Sequence, residues 1–379
     1  LMNKMTLEEK IAQMDMFAVW DIEKYKNSTL SKQEGVGAFI GDITPEKYNE
    51  IQALSEKTRL KIPFLIGVDA AHGHALMPGR TVFPTSISMA ATFNPEIVYR
   101  AAQFSAKEIR ACGNQWTFAP CVDIVHDARF GRTGETYGEC PFLASVLVRK
   151  AVQGLQNNDD PQQRVAACVK HLLGGGASIG GVNHGNAEIS ERMLRRVFLP
   201  PFQAAVDVLT IMPGHNDVNG IPMHASHWIL TDIIKKEYGF QGFYITDMGD
   251  IENLKKERIH RTATDQKDAV RQAINAGIDM HMYSWEREMF VDHLLALVRE
   301  GKVSKKRIDD AVRRILTVKF ELGLFEQRYV KIEPNKPMYA SPEAKELALE
   351  AARQSIVLLK NDKNLLPLKN NSRDRPQRR

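Results

Sequence analysis

The sequence predicts an α/β chain built as a (β/α)8 TIM-like barrel, and three observations carry that prediction. Short apolar runs rich in Val, Ile and Phe recur, each followed by a longer stretch with helical periodicity, which is the alternation of a parallel sheet. Seven such runs are present: Val36 to Ile40, Phe64 to Asp69, Gln115 to Ala119, Val165 to Lys170, Leu209 to Pro213, Phe243 to Asp247 and Ile278 to Met282. They are too many and too evenly spread for a doubly wound sheet of roughly six strands. The length of 379 residues exceeds one ordinary domain, yet a barrel with a trailing segment absorbs most of it.

The helices between the runs carry their own punctuation. Asn94-Pro95 is an N-cap followed by proline at the first helical position, and Ser304 opens a helix whose apolar face is marked by Ile308, Val312 and Ile315. Gly323 follows the last apolar turn as a C-cap, which places the end of the barrel near residue 325. Residues 326–342, with several charges and prolines, read as a linker. Glu343 to Ala352 is then predicted as a helix of strong formers, and Ser355 to Lys360 as one more strand, so that residues 343–368 open a second unit that stops at its first strand. The wholly polar stretch 369–379 is expected to be a disordered basic tail.

Composition narrows the function classes. The formal charge of +5 owes a net three to Arg373, Asp374, Arg375, Arg378 and Arg379, so the remainder is nearly balanced and no nucleic acid is expected as a partner. No apolar run approaches the ~20 residues that span a bilayer, and no charged-then-apolar leader is read at the start, so no membrane partner is expected either. The spacing of Cys112, Cys121, Cys140 and Cys168 fits neither a zinc site nor a secreted disulfide framework, and predicts four buried or half-buried thiols. The oligomeric state stays open.

In a barrel, chemistry sits at the C-terminal ends of the strands, so the polar residues that close each apolar run are the candidates. These are Asp69; Asp123, with Arg132 further along the same loop; Lys170 and His171; His215, Asn216 and Asp217; and Asp247. Together they describe a pocket of carboxylates and cations suited to a neutral polyhydroxylated ligand. Each taken singly has a plainer reading, as a helix cap, a loop anchor or one half of a surface ion pair. His72 and His74 are expected to be solvent-facing or hydrogen-bonded rather than metal ligands, and no metal or cofactor is expected. Gly174, Gly175 and Gly176 lack a phosphate-loop register and read as flexible backbone.

The combination is more specific than its parts. Thr6-Leu7-Glu8-Glu9-Lys10-Ile11, Gly67-Val68-Asp69 with His72-Gly73, Asp127-Ala128-Arg129-Phe130-Gly131-Arg132, Lys170-His171, Leu199-Pro200-Pro201-Phe202, Asn219-Gly220-Ile221-Pro222 and the run from Gly239 to Asp247 occur in an order that resembles the first domain of family 3 glycoside hydrolases of β-glucosidase type, from Met5 to about Phe325. Ala351 to Asn361 with Leu365 to Leu368 resembles the entry into that family's second, α/β sandwich domain, here truncated. The sequence departs from the family pattern at Val182-Asn183, at His215 where an aromatic is common, at Met248 and at Met280-His281-Met282.

The resemblance implies retaining hydrolysis of terminal β-D-glucosyl residues, with Asp247 as nucleophile and a covalent glycosyl intermediate. It implies that Asp69, Arg132, Lys170 and His171 bind the sugar hydroxyls, and His215 is counted with them as substrate-binding. The partner is then a β-glucoside or oligosaccharide. The family's acid/base usually comes from the second domain, so the chain as given is expected to turn over poorly. A β-xylosidase or arabinosidase of the same family, or an inactive carbohydrate-binding module or fragment, are the alternatives. An N-acetylglucosaminidase is disfavoured because the run from Lys170 to Gly176 lacks a second histidine. The family implies a periplasmic or secreted setting.

Overall fold

The structure is a computed structural model and describes residues 1–332 and 340–368. Seven short parallel strands form most of a ring: β1 (Met16–Ala18), β2 (Ala38–Ile40), β3 (Leu65–Val68), β4 (Trp116–Thr117), β5 (Cys168–Leu172), β6 (Thr210–Pro213) and β7 (Phe243–Tyr244). β1 to β4 pair in order, and β5, β6 and β7 pair in order. Parallel bridges close the gaps. Trp116 pairs with Ala166, Ile245 with Met280, and His281 with Asp15. The backbone around Met280 and His281 is therefore the eighth stave, and every neighbour pairing in the ring is parallel.

Sequence reasoning found seven runs and missed the first stave. Met14, Met16, Phe17 and Ala18 are all buried, but Gln13 and Asp15 interrupt them and are buried as well. A polar residue inside a short apolar run hides the strand. β1 and β2 approach closely enough to need glycine, since a Cβ on Gly37 would fall 2.0 Å from the carbonyl of Gln13.

Strand burial on both faces accounts for the continuous apolar runs. Beneath the ring, Tyr25, Phe39 and Phe64 meet edge to face at 5.0 to 5.9 Å. Inside it, Trp116 packs on Phe118 and Phe243, and its indole N–H donates to Thr210 Oγ1 at 2.8 Å. The helix Pro95–Cys112 starts as predicted, with Asn94 Oδ1 accepting from the N–H groups of Glu96 and Ile97. Ser304 caps Lys305–Glu321, whose Ile308, Val312 and Ile315 are fully buried. Gly323 takes φ +68°, and the bonds Gly323 N–H to Phe320 O and Leu324 N–H to Lys319 O close that helix.

Ordered packing continues past residue 325. Tyr48 donates to the carbonyl of Arg328 at 3.0 Å, and the Asn49 amide bonds both backbone groups of Val330 at 2.9 Å. Residues 333–339 of the predicted linker, and the basic tail 369–379, lie outside the described residues. The helix predicted from Glu343 is Pro342–Gln354, capped by Ser341, and it buries Ala344, Leu347 and Ala351 against the barrel. The strand expected at Ser355 to Lys360 does not form. The segment runs without a strand partner and leaves Ile356, Val357, Leu358 and Leu359 exposed. Cys112, Cys121 and Cys168 are buried thiols, whereas Cys140 is exposed, at the cap position of Pro141–Gln156. No helix among the described residues is long and apolar enough to cross a membrane.

Candidate active site

The five strand-end candidates converge at the C-terminal mouth of the barrel. Asp69 stands one residue past β3, Lys170 and His171 lie within β5, His215 follows β6 by two residues, and Asp247 follows the Ile245 bridge by two. Arg132 and Asp123 come from the long loop after β4.

Asp247 is the centre of the cluster. Its Oδ2 lies 3.0 Å from His215 Nε2 and 3.7 Å from His171 Nε2, while its Oδ1 accepts the N–H of Met248 at 2.7 Å. Burial alone would push this carboxyl up, but the bond and charge of His215, with the Lys170 ammonium nearby, hold it far below the ordinary carboxylate range. The side chain keeps 22% exposure, so an ionised oxygen faces the open mouth.

His215 has both ring nitrogens committed. Nε2 faces Asp247, and Nδ1 lies 2.9 and 3.0 Å from the two oxygens of Asp250. Burial works against its protonation, yet two flanking carboxylates raise its pKa to about 10. Burial alone would push the fully buried Asp250 carboxyl up, but His224 beside it and the bond and charge of His215 hold it below the ordinary range, while the Asn253 amide donates to its Oδ1 at 3.0 Å. The residue is thus a bridge between carboxylates, and its contacts with the nucleophile candidate come before any contact with a ligand.

His171 is held differently. Asp123, buried to the same degree, accepts from its Nδ1 at 2.9 Å, from its backbone N–H at 3.1 Å and from the Cys121 thiol at 3.1 Å. Burial lowers the pKa of His171, and the pairing with His171 and Cys121 offsets the burial of Asp123 and holds it at about 2. The hydrogen bonds place the proton on Nδ1 and leave a lone pair on Nε2, which finds no partner among the described residues. Lys170, buried against the barrel, donates to Asp69 Oδ1 at 2.8 Å, and that carboxylate, with Asp247, raises its pKa despite burial. Arg132 makes a two-point contact with Glu135 at 2.8 and 2.9 Å.

The loops that carry these groups are rigid for stated reasons. Asp217–Val218 and Ile221–Pro222 form a two-residue hairpin through Asn219 (φ +53°) and Gly220 (φ +76°), and Asn186–Ala187 adds a third strand beside it. The expectation of flexible backbone at Gly174 to Gly176 is overturned. Gly175 and Gly176 are buried, and a Cβ would meet Asp123 Oδ1 at 2.8 Å or the Ile124 carbonyl at 2.4 Å, so these glycines let two loops touch. His72 bonds the Phe83 carbonyl and His74 is buried beside Cys112 and Asp42, as structural histidines.

Sequence reasoning noted Asp123 without giving it a role, and it missed Asp250, Glu135 and His184, whose ring lies tilted against His215 with centroids 4.9 Å apart. Only the Asp-x-x-Asp spacing of Asp247 and Asp250 at a helix start hinted at the second carboxylate. Three groups bring three possible ligand atoms within 4.8 Å of one another: Cys121, Asp123 and His171; His171, His215 and Asp247; His184, His215 and Asp250.

Residues 6–318 match the model of the glycosyl hydrolase family 3 N-terminal domain. The chain belongs to glycosyl hydrolase family 3. Among its family 3 relatives, a periplasmic β-glucosidase from Salmonella typhimurium is 36% identical over 97% of this chain and 48% of its own length. A β-xylosidase from Formosa agariphila is also 36% identical, over 96% of this chain and 51% of its own. A β-glucosidase from Listeria innocua, solved in complex with isofagomine, superposes with a TM-score of 0.88 at 32% identity, over 97% of this chain and 52% of that one. The chain spans about half the length of the curated relatives it matches.

Proposed function

We propose that this family 3 domain carries the nucleophile and the sugar pocket of a retaining glycoside hydrolase acting on terminal β-D-glucosyl residues. The observation that carries the reading is the ionised, partly open Asp247 at a strand end, ringed by His215, His171 and Lys170. In this reaction a carboxylate oxygen attacks the anomeric carbon as the bond to the leaving oxygen breaks, and water later hydrolyses the glycosyl ester. Asp69, Lys170, Arg132 and the free Nε2 of His171 line the mouth as acceptors and donors for sugar hydroxyls. Charge-assisted bonds of this kind strengthen as the ring gains oxocarbenium character.

Retention also needs an acid about 5 to 5.5 Å from the nucleophile. Asp123, Asp250 and Glu135 are each held ionised by a basic partner, which is the wrong state for a proton donor. We infer that these residues alone leave the departing oxygen without acid help. Aryl glucosides with an acidic phenol should therefore be cleaved while methyl β-glucoside is not. Equal cleavage of the two would overturn that inference. Relatives named as periplasmic enzymes support an extracytoplasmic setting.

The direct test of the nucleophile is intact-protein mass spectrometry after exposure to 2,4-dinitrophenyl 2-deoxy-2-fluoro-β-glucoside, followed by peptide mapping. An added fluoroglucosyl mass on Asp247 is expected. A folded protein that stays unlabelled would favour a carbohydrate-binding domain without catalysis. A β-xylosidase is the second reading, since a relative of equal identity bears that name. A higher kcat/KM for the aryl xyloside than for the aryl glucoside would select it.

A further inference from the structure

We propose that the mouth of the barrel is also a binding site for a borderline divalent transition-metal ion, zinc above all, held by His171 Nε2, His215 Nε2 and Asp247 Oδ2. A four-coordinate zinc with bonds near 2.1 Å spaces its ligand atoms about 3.4 Å apart. Here His215 Nε2 lies 3.0 Å and His171 Nε2 lies 3.7 Å from the shared Asp247 Oδ2, and all three atoms fall within 4.8 Å. A modest swing of one ring brings the third edge into range.

What lies behind the ligands argues for the same ion. Metal-binding histidines present one nitrogen to the metal and donate the other N–H to a carboxylate, which fixes the tautomer and raises basicity. Both histidines are built this way: His171 Nδ1 is bonded to Asp123 and His215 Nδ1 to Asp250, and both carboxylates are buried. His171 is 3% exposed, and its Nε2, aimed at Asp247, has no hydrogen-bond partner among the described residues. Two imidazoles and one carboxylate favour zinc, copper or nickel over magnesium or calcium, and an open fourth position faces the mouth. When the ion enters, the proton on His215 Nε2 leaves to solvent, and the lone pair it frees becomes the ligand.

The inference concerns binding alone and does not depend on the glycosidase reading.

The test is calorimetric titration of the metal-free protein with zinc chloride, paired with the visible absorption of the cobalt(II) form. One equivalent of zinc should bind, and cobalt should give the intense bands of a four-coordinate centre. His215→Phe should abolish both signals while its far-ultraviolet circular dichroism stays native. Asp250→Asn, which leaves every ligand in place, should weaken zinc about ten- to a hundredfold. His184→Ala should change neither signal, because His184 belongs to the competing set with Asp250. Zinc binding that survives His215→Phe, that is lost in His184→Ala, or that is absent from the native protein would each overturn the assignment.

Discussion

Asp247 stays ionised because a charged histidine touches it, and that contact shapes what it can do. His215 is raised to about 10 by two carboxylates, so it remains a cation across the physiological range. Its bond stabilises the Asp247 carboxylate and also draws on the lone pairs that attack would use. If Asp247 is the nucleophile, His215→Phe should raise its pKa, and the acid limb of the pH profile for aryl glucoside cleavage should move up by more than one pH unit. In the native protein that limb should lie below the ordinary carboxylate value of about 4. Unshifted limbs would show that His215 does not set the charge of Asp247. At this scale the sequence was informative in one direction only. Asp69, Lys170, His171 and Asp247 were visible because each closes an apolar run at the reactive end of a barrel. Asp123 and Asp250 act by reaching across space to a histidine on another strand, and no local pattern encodes that distance.

Elements announced by end signals were readable, and those defined only by their neighbours were not. Asn94-Pro95, Ser304 and Gly323 marked helix ends because capping is a local reaction between a side chain and adjacent N–H or C=O groups. Met16–Ala18 was overlooked and Ser355 to Lys360 was overcalled for one reason, that a strand exists only through its partner. Helix packing offers a sharper test. Gly154 sits where Pro141–Gln156 crosses Pro95–Cys112, and a Cβ there would lie 2.5 Å from the Tyr99 carbonyl and 2.6 Å from Ala102 Cβ. Helix propensity favours Gly154→Ala by about 1 kcal/mol. Overpacking opposes it by typically 1–3 kcal/mol, and the neighbours include the backbone of Tyr99 and Gln103, which cannot move aside cheaply. A net loss of stability of about 1 kcal/mol is expected from urea unfolding, and a gain would mean the helices separate without cost. The trailing helix makes a different prediction. Pro342–Gln354 rests on Ala344, Leu347 and Ala351, so Leu347→Asp should release it. Amide exchange should then quicken across residues 342–354 and leave the barrel strands protected.

Over the whole molecule, the ring is closed by charge as well as by backbone. Asp15 on the first stave accepts from Ser284 at 2.8 Å and faces His281 Nδ1 at 3.2 Å, while Glu252 faces His281 Nε2 at 3.2 Å. His281 is fully buried, and its pKa is raised to about 10 because these carboxylates outweigh burial. A histidine raised in the folded state stabilises fully below its unfolded pKa of about 6.5 and loses that contribution as pH climbs toward 10. His281 and His215 therefore both make stability fall between those limits. Lys319 at the opposite end of the barrel has the reverse sign. It is buried without a carboxylate, donates at 2.8 Å to Gln13 Oε1 and to the Pro63 carbonyl, and burial alone lowers its pKa to about 7. Between pH 7 and about 10.5 the unfolded chain holds this proton more firmly than the folded one, so Lys319 makes stability rise with pH. Replacing it should unmask the histidines. The urea-derived stability of Lys319→Met, whatever its value at pH 7, should decline more steeply from pH 7 to 10 than that of the native protein, with the gap widening on the order of 1 kcal/mol per pH unit. Parallel curves would mean that Lys319 keeps its proton throughout, and that the carbonyl cage below the ring solvates an ammonium as well as water does.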